Sequence, residues 1–254
     1  MNGRREEADR ELFDRIATRY VRKDLVPSSR CARRQRFEST ISAVPMKRSW
    51  RVLEVGCGAG FGATYLRGRC QEYVGLDHSR ELVRLARQRN GGAATEFVAT
   101  SIAEFATDRE FDLIIMIGVL HHLEEIECAM AAVVPLLAPG GYMVANEPQP
   151  ANPLVSAIRR MRTVLDREYS SDQVQLDRRE LRRIFLHSGL EDIEVRPQGL
   201  LSTPFAEMPL TPDWLAAGPA RLAWWIDAKV ESALGSLLLP LSWNLVAVGR
   251  KKSD

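Results

Sequence analysis

The segment Val52-Leu53-Glu54-Val55-Gly56-Cys57-Gly58-Ala59-Gly60 constrains the fold of this chain more than any other. An apolar run ends in three glycines at alternate positions and leads into a helical pattern that begins at Phe61. Glycine lacks a Cβ and tolerates positive φ, so a ligand can lie against the backbone at the carboxyl end of a strand, where open α/β sheets bind their ligands. Asp77 closes the next apolar run, and its carboxylate, which only accepts hydrogen bonds, can take both hydroxyls of a ribose. The loop therefore predicts an adenosine-bearing or dinucleotide cofactor. Gly58-Ala59-Gly60-Phe61-Gly62-Ala63 also satisfies the GxGxxG/A pattern of nicotinamide sites, so the loop alone leaves the cofactor class open.

The flanking rhythm extends this unit into a sheet. Short apolar runs at 51–55, 73–77, 95–99, 111–117 and 141–146 read as strands, and amphipathic stretches at 61–68, 79–89 and 124–137 read as the helices between them. Ser79 is a plausible N-cap, and Gly91-Gly92 and Gly140-Gly141 are plausible stops. After three prolines (Pro148, Pro150, Pro153), helical patterns at 154–165 and 178–188 precede strands at 191–196 and 243–250. The expectation is one α/β domain over 1–254, with a doubly wound, mostly parallel seven-stranded sheet. It comprises a helical N-terminal cap (1–49), a cofactor-binding core (50–147) and two substrate or lid insertions (148–176 and 197–242), the second lying before the last strand.

Composition narrows the function classes. A net charge of +2 over 254 residues, without a basic-aromatic stripe, argues against nucleic acid as the partner. Residues 1–50 are basic, but their arginines alternate with acids (Arg4, Arg5, Glu6, Glu7, Asp9, Arg10, Glu11), the pattern of a solvated helix face. Cys31, Cys57, Cys70 and Cys128 form no CxxC pair, which predicts free thiols in a cytoplasmic protein and no metal site. The N-terminus has no signal-peptide core, and the most apolar stretch, 234–248, is broken by Gly235, Ser236, Pro240, Ser242 and Asn244, so no stable membrane insertion is expected.

Three further features bear on the cofactor: Glu54 ahead of the first glycine, Val119-Leu120-His121-His122-Leu123 after the fourth strand, and Leu137-Ala138-Pro139-Gly140-Gly141 before the fifth. With Val74-Gly75-Leu76-Asp77-His78-Ser79 and Phe111-Asp112-Leu113-Ile114, the chain from Phe13 to Asn146 resembles the class I S-adenosylmethionine-dependent methyltransferases. The resemblance is to their small-molecule branch, which includes ubiquinone/menaquinone methyltransferases and many natural-product enzymes; the final strand, Asn244 to Arg250, also fits. It implies that Glu54, Gly56 and Gly58 shape the methionine end of the S-adenosylmethionine site, that Asp77 holds the ribose and that His78 flanks the adenine. Cys57, Gly60, Ile117 and Gly118 complete that expected site. Many relatives place an acid after the third strand to meet the adenine amino group. This chain has Thr100-Ser101-Ile102, where Ser101 can accept that hydrogen bond and Ile102 can pack on the ring.

Methyl transfer from a sulfonium is a displacement at an activated carbon, so alignment supplies much of the rate and a base is needed only for a protonated nucleophile. His121 and His122 are the candidate bases, with loop packing or helix capping as the alternative; adjacent loop positions rarely face one way, and His121 is slightly favoured. Tyr20 and Glu147 are candidate substrate contacts. The insertion before the last strand, rich in Trp and Leu (Trp214, Leu222, Trp224, Trp225), can pack on the sheet, line an acceptor pocket, or make a homodimer or membrane-surface contact. The expected reaction methylates a small apolar or aromatic metabolite, on oxygen rather than carbon or nitrogen, and releases S-adenosylhomocysteine. The alternatives are a nicotinamide-dependent oxidoreductase and a non-catalytic cofactor-binding partner subunit.

Overall fold

The computed structural model describes residues 4–92, 94–150, 174, 176–207 and 213–253. Seven strands, β1 (Arg51–Val55), β2 (Glu72–Asp77), β3 (Thr95–Ala99), β4 (Phe111–Ile117), β5 (Leu137–Pro148), β6 (Leu190–Gln198) and β7 (Asn244–Lys251), form one sheet in the order β3-β2-β1-β4-β5-β7-β6. The first five are parallel, and β7 inserts antiparallel between β5 and β6. The chain leaves β1 first toward β2 and later returns to its other side as β4. The order therefore reverses beside β1, the crevice where such sheets take ligands.

Apolar strands buried on both faces create two cores. Leu53, Val55, Ile114, Met116 and Leu245 pack on one face of the sheet, and Val52, Leu113, Ile115, Val144 and Val248 on the other. Helices α3 (Phe61–Leu66), α4 (Arg80–Asn90), α5 (Ile126–Val133) and α6 (Arg178–His187) connect the strands. Ser79 caps α4 by accepting from the Leu82 N–H, and Asp177 caps α6 by accepting from Arg179 and Glu180.

The N-terminal cap is two helices, α1 (Arg4–Leu25) and α2 (Pro27–Ile41), divided where Pro27 takes the first helical position. Between β6 and β7 lie α7 (Thr203–Glu207) and α8 (Asp213–Leu234). The helix expected to reach residue 137 stops at Val133, because Pro135 lacks the N–H that would extend it; a short 3-10 turn, Val134–Leu136, follows. Leu137 instead pairs with Phe111, and Ala138 to Gly141 form an irregularity before Tyr142 resumes the register opposite Leu113. The helix expected at 154–165, with Arg159, Arg160, Arg162 and Arg167, lies outside the described residues.

Candidate active site

β1, β2 and β4 end at one cavity roofed by α1. Gly56, Gly58, Asp77, His78, Thr100, Ser101, Ile102, Ile117, Gly118, Val119, His122 and Leu123 line it from the sheet side, and Glu6, Asp9, Phe13 and Tyr20 from the helix. The glycine loop makes this floor. Gly56 has φ +72°, and a Cβ there would strike the Val119 side chain; Gly60, at φ +76°, would put a Cβ 2.6 Å from Asn90 Nδ2. Both positions demand the left-handed backbone and the missing side chain.

Asp77 is buried at the end of β2. Its Oδ2 accepts from the Gly58 N–H at 2.8 Å and its Oδ1 from the Ser79 N–H at 2.9 Å, so the carboxylate ties the loop to the next helix and keeps lone pairs for a ligand. Burial raises its pKa, opposed by the His78 imidazole and the two backbone donors. Asp14 of α1 accepts from the Ser79 hydroxyl at 2.6 Å and the Glu81 N–H at 3.1 Å, fastening the roof beside this corner.

The two histidines occupy a 3-10 turn, Leu120–His122, that brings their rings to 4.2 Å. His122 lines the cavity, with its Nδ1 3.0 Å from Asp9 Oδ2 and its ring edge-on to Phe13. As a carboxylate, Asp9 can only accept, so Nδ1 carries the proton and Nε2 the lone pair in the neutral ring. His121 packs behind it, buried, with Nδ1 2.6 Å from Glu147 Oε2. Burial lowers the His121 pKa despite its carboxylate partner.

Glu147, a candidate substrate contact, lies off the cavity wall. Its carboxylate is wholly buried and accepts from the Val119 and Leu120 N–H groups, each at 2.9 Å, as well as from His121. It closes the amino end of the turn that carries the histidines. Burial alone would raise its pKa, but the His121 bond and the two backbone donors outweigh this and hold it low.

Glu54 also lies beneath the loop, off the cavity wall. Its carboxyl accepts from the Tyr73 hydroxyl and faces Gly62, where a Cβ would collide with it. Burial pushes its pKa to about 8, against the Tyr73 bond and with a contribution from Asp77. Cys57 and Gly60 likewise support the loop from below, and burial raises the Cys57 thiol well above its ordinary value. Ser101 is on the wall, its hydroxyl donating to Glu104 at 3.1 Å. Tyr20 is there too, edge-on to Phe13 at 5.5 Å. Asp9 and Glu6 were not expected in the site. No described residue of 197–242 reaches it: α8 packs on α2, burying Ala216, Ala220 and Ala223. Among the described residues, no group of three or more His, Cys, Asp or Glu could hold a metal ion.

Residues 53–145 match the family model described as "Methyltransferase domain". The chain is 32% identical over 119 residues to the fatty-acid O-methyltransferase of Mycolicibacterium smegmatis, covering 46% of this chain and 43% of that protein. It is 33% identical over 105 residues to phthiotriol/phenolphthiotriol dimycocerosates methyltransferase 1 of Mycobacterium ulcerans, covering 40% and 39% respectively. The chain thus spans less than half the length of these relatives. A solved S-adenosylmethionine-dependent methyltransferase of Thermotoga maritima, described as a possible histamine N-methyltransferase, superposes with a TM-score of 0.67. It covers 95% of this chain and 99% of its own at 19% identity, which speaks to the fold. Residues 53–145 are therefore a methyltransferase domain, and the chain shares the fold of solved S-adenosylmethionine-dependent methyltransferases.

Proposed function

We propose that this chain methylates a small apolar or aromatic acceptor with S-adenosylmethionine, on oxygen in preference to nitrogen or carbon. The observation that carries the reading is the single cavity where the glycine loop, the Asp77 carboxylate and the Asp9–His122 pair meet. The residues present fit the cofactor: the backbone at Gly56 and Gly58 is bare, Asp77 keeps lone pairs for a ribose, and Ile102 offers an apolar face beside His78. Ser101 keeps acceptor capacity, and Ile117 and Gly118 continue the floor toward the histidines. When bound, S-adenosylmethionine supplies an electrophilic methyl group on a sulfonium.

The protein's own contribution is alignment and proton transfer. Phe13, Tyr20, Val119 and Leu123 make an apolar lining that favours an apolar acceptor and excludes water. His122 Nε2 takes the hydroxyl proton of the acceptor, and Asp9 holds the ring by Nδ1–H and balances the imidazolium that forms. Glu147 and His121 hold the turn that presents His122. The names of the fatty-acid O-methyltransferase and the dimycocerosates methyltransferase support an apolar acceptor, and the first supports oxygen as the nucleophile.

The test is incubation with methyl-labelled S-adenosylmethionine and two acceptor panels, one of fatty acids and phenols and one of amines, with products resolved by mass spectrometry. Labelled ether from a phenol that disappears in His122→Ala is the expected result, whereas a fatty acid arrives as a carboxylate with no proton to remove, so its labelled ester should survive that change. Label on nitrogen alone would overturn the oxygen assignment, and ether formation indifferent to His122→Ala would overturn the role of the histidine.

A further inference from the structure

The outward face of α8 has no role in the cavity, yet it is the most apolar exposed surface described. At 100° per residue, Trp225 falls opposite the buried Ala216, Ala220 and Ala223, while Leu222 and Leu215 fall on one flank, about 130° and 110° away; Leu215, Leu222 and Trp225 are 61%, 58% and 59% exposed. Leu237 and Leu241, just beyond the helix, are 76% and 60% exposed. Side chains of this size are seldom left to water together.

The charges on the same helix are sorted. Its Asp227 is buried and accepts from the Leu200, Leu201 and Ser202 N–H groups and the Ser202 hydroxyl. Glu231 accepts from the Gly199 N–H at 2.6 Å, and burial raises its pKa to about 7. Both carboxylates thus anchor the loop into α7. Arg221 and Lys229 are exposed and flank Leu222 and Trp225. An apolar centre of Trp and Leu bordered by cations is the surface that settles into the headgroup layer of an anionic membrane.

We propose that the outward face of α8 seats this protein on an anionic lipid surface, with Leu222 and Trp225 in the interfacial layer and Arg221 and Lys229 on the headgroups. Charge favours this occupant over a second copy of the chain. A two-fold contact through the face would bring each cation toward its own kind, with the described carboxylates of the helix already consumed. No described helix is long and apolar enough to cross a membrane, and the proposal requires none.

The experiment is vesicle co-sedimentation of the full chain with phosphatidylcholine alone and with phosphatidylcholine mixed with phosphatidylglycerol, alongside sedimentation velocity without lipid. The expected result is binding to the mixed vesicles that weakens with salt. Leu222→Ser with Trp225→Ser should lower the partition coefficient by about tenfold or more. Arg221→Gln with Lys229→Gln should lower it by a similar factor, since each cation near an anionic surface contributes roughly fivefold. All four positions are exposed, so melting curves close to that of the parent are expected for both variants. No binding to mixed vesicles, equal binding to phosphatidylcholine alone, or binding unchanged in both variants would overturn the proposal. So would a lipid-free dimer that Leu222→Ser with Trp225→Ser converts to monomer.

Discussion

Replacing Glu54 by Gln tests the physical account of the glycine loop through a sign that is easily read. In the folded protein the carboxyl is buried and titrates at about 8, compared with an ordinary value of 4.5. Between those values the folded state holds a proton that the unfolded chain has released, so this group destabilises the fold progressively as pH rises. A shift of that size corresponds to about 5 kcal/mol, approached at up to about 1.4 kcal/mol per pH unit. Glutamine keeps the shape and a carbonyl to accept from the Tyr73 hydroxyl but has no proton to lose. Urea unfolding followed by Trp fluorescence, for both proteins across about pH 5 to 8, gives the stability difference directly. The variant should gain on the parent steadily as pH rises and be the more stable protein near pH 8. A difference that stays flat with pH, or that moves against the variant, would refute the assignment of Glu54 as a buried neutral acid beneath the loop.

Other expectations follow from the same contacts. Gly62→Ala puts a methyl group into the Glu54 carboxyl and should cost about 1–3 kcal/mol in urea unfolding, with partial recovery when Glu54 is shortened to Asp. Glu147→Ala strands the Val119 and Leu120 N–H groups in a buried site and should cost about 3–5 kcal/mol, with weakened S-adenosylhomocysteine binding because the turn that lines the cavity loosens. The parent should also lose stability in acid. Lowered His121 pKa means that its contribution is complete above its ordinary value of 6.5 and falls as pH drops below it, and Glu147 adds a second loss beneath 4.5; a parent minus Glu147→Ala stability difference independent of pH would contradict this. Asp9→Asn should lower kcat for a phenolic acceptor more than it raises KM, because the His122 ring loses the carboxylate that balances its charge when it takes the proton, whereas a contact that merely shapes the cavity would raise KM instead.

Much of the parallel core was legible because its signals are local. β1, β3 and β4 fall at the expected residues, since apolar runs bounded by turn residues leave little freedom. The glycine spacing and Asp77 located the cavity floor for the same reason, as each has a backbone cause visible in the sequence. The roof was harder. Glu6, Asp9, Phe13 and Tyr20 recur at intervals of three, four and seven, one helical face, but the acids alternate with arginines and so resemble a solvated surface. Only the packing of α1 over the sheet turns that face inward. The histidine pair was visible but not its arrangement: the 3-10 turn brings both rings inward, and a buried glutamate on β5 decides which one reaches the cavity. The insertion before β7 is rich in Trp and Leu, but α2 offers α8 a seam for alanines, which leaves larger side chains of the helix outside, a choice that only the packing of the two helices decides.

The central claim is that the cavity under α1 binds S-adenosylmethionine through the glycine loop and Asp77. Isothermal titration of the parent and Asp77→Ala with S-adenosylhomocysteine, and in parallel with NADH, tests it most directly. The account predicts saturable S-adenosylhomocysteine binding in the parent, at least about tenfold weaker in Asp77→Ala once the charge-assisted bonds to the ribose are lost, and no heat with NADH. NADH binding without S-adenosylhomocysteine binding, or S-adenosylhomocysteine binding equally tight in the variant, would contradict it.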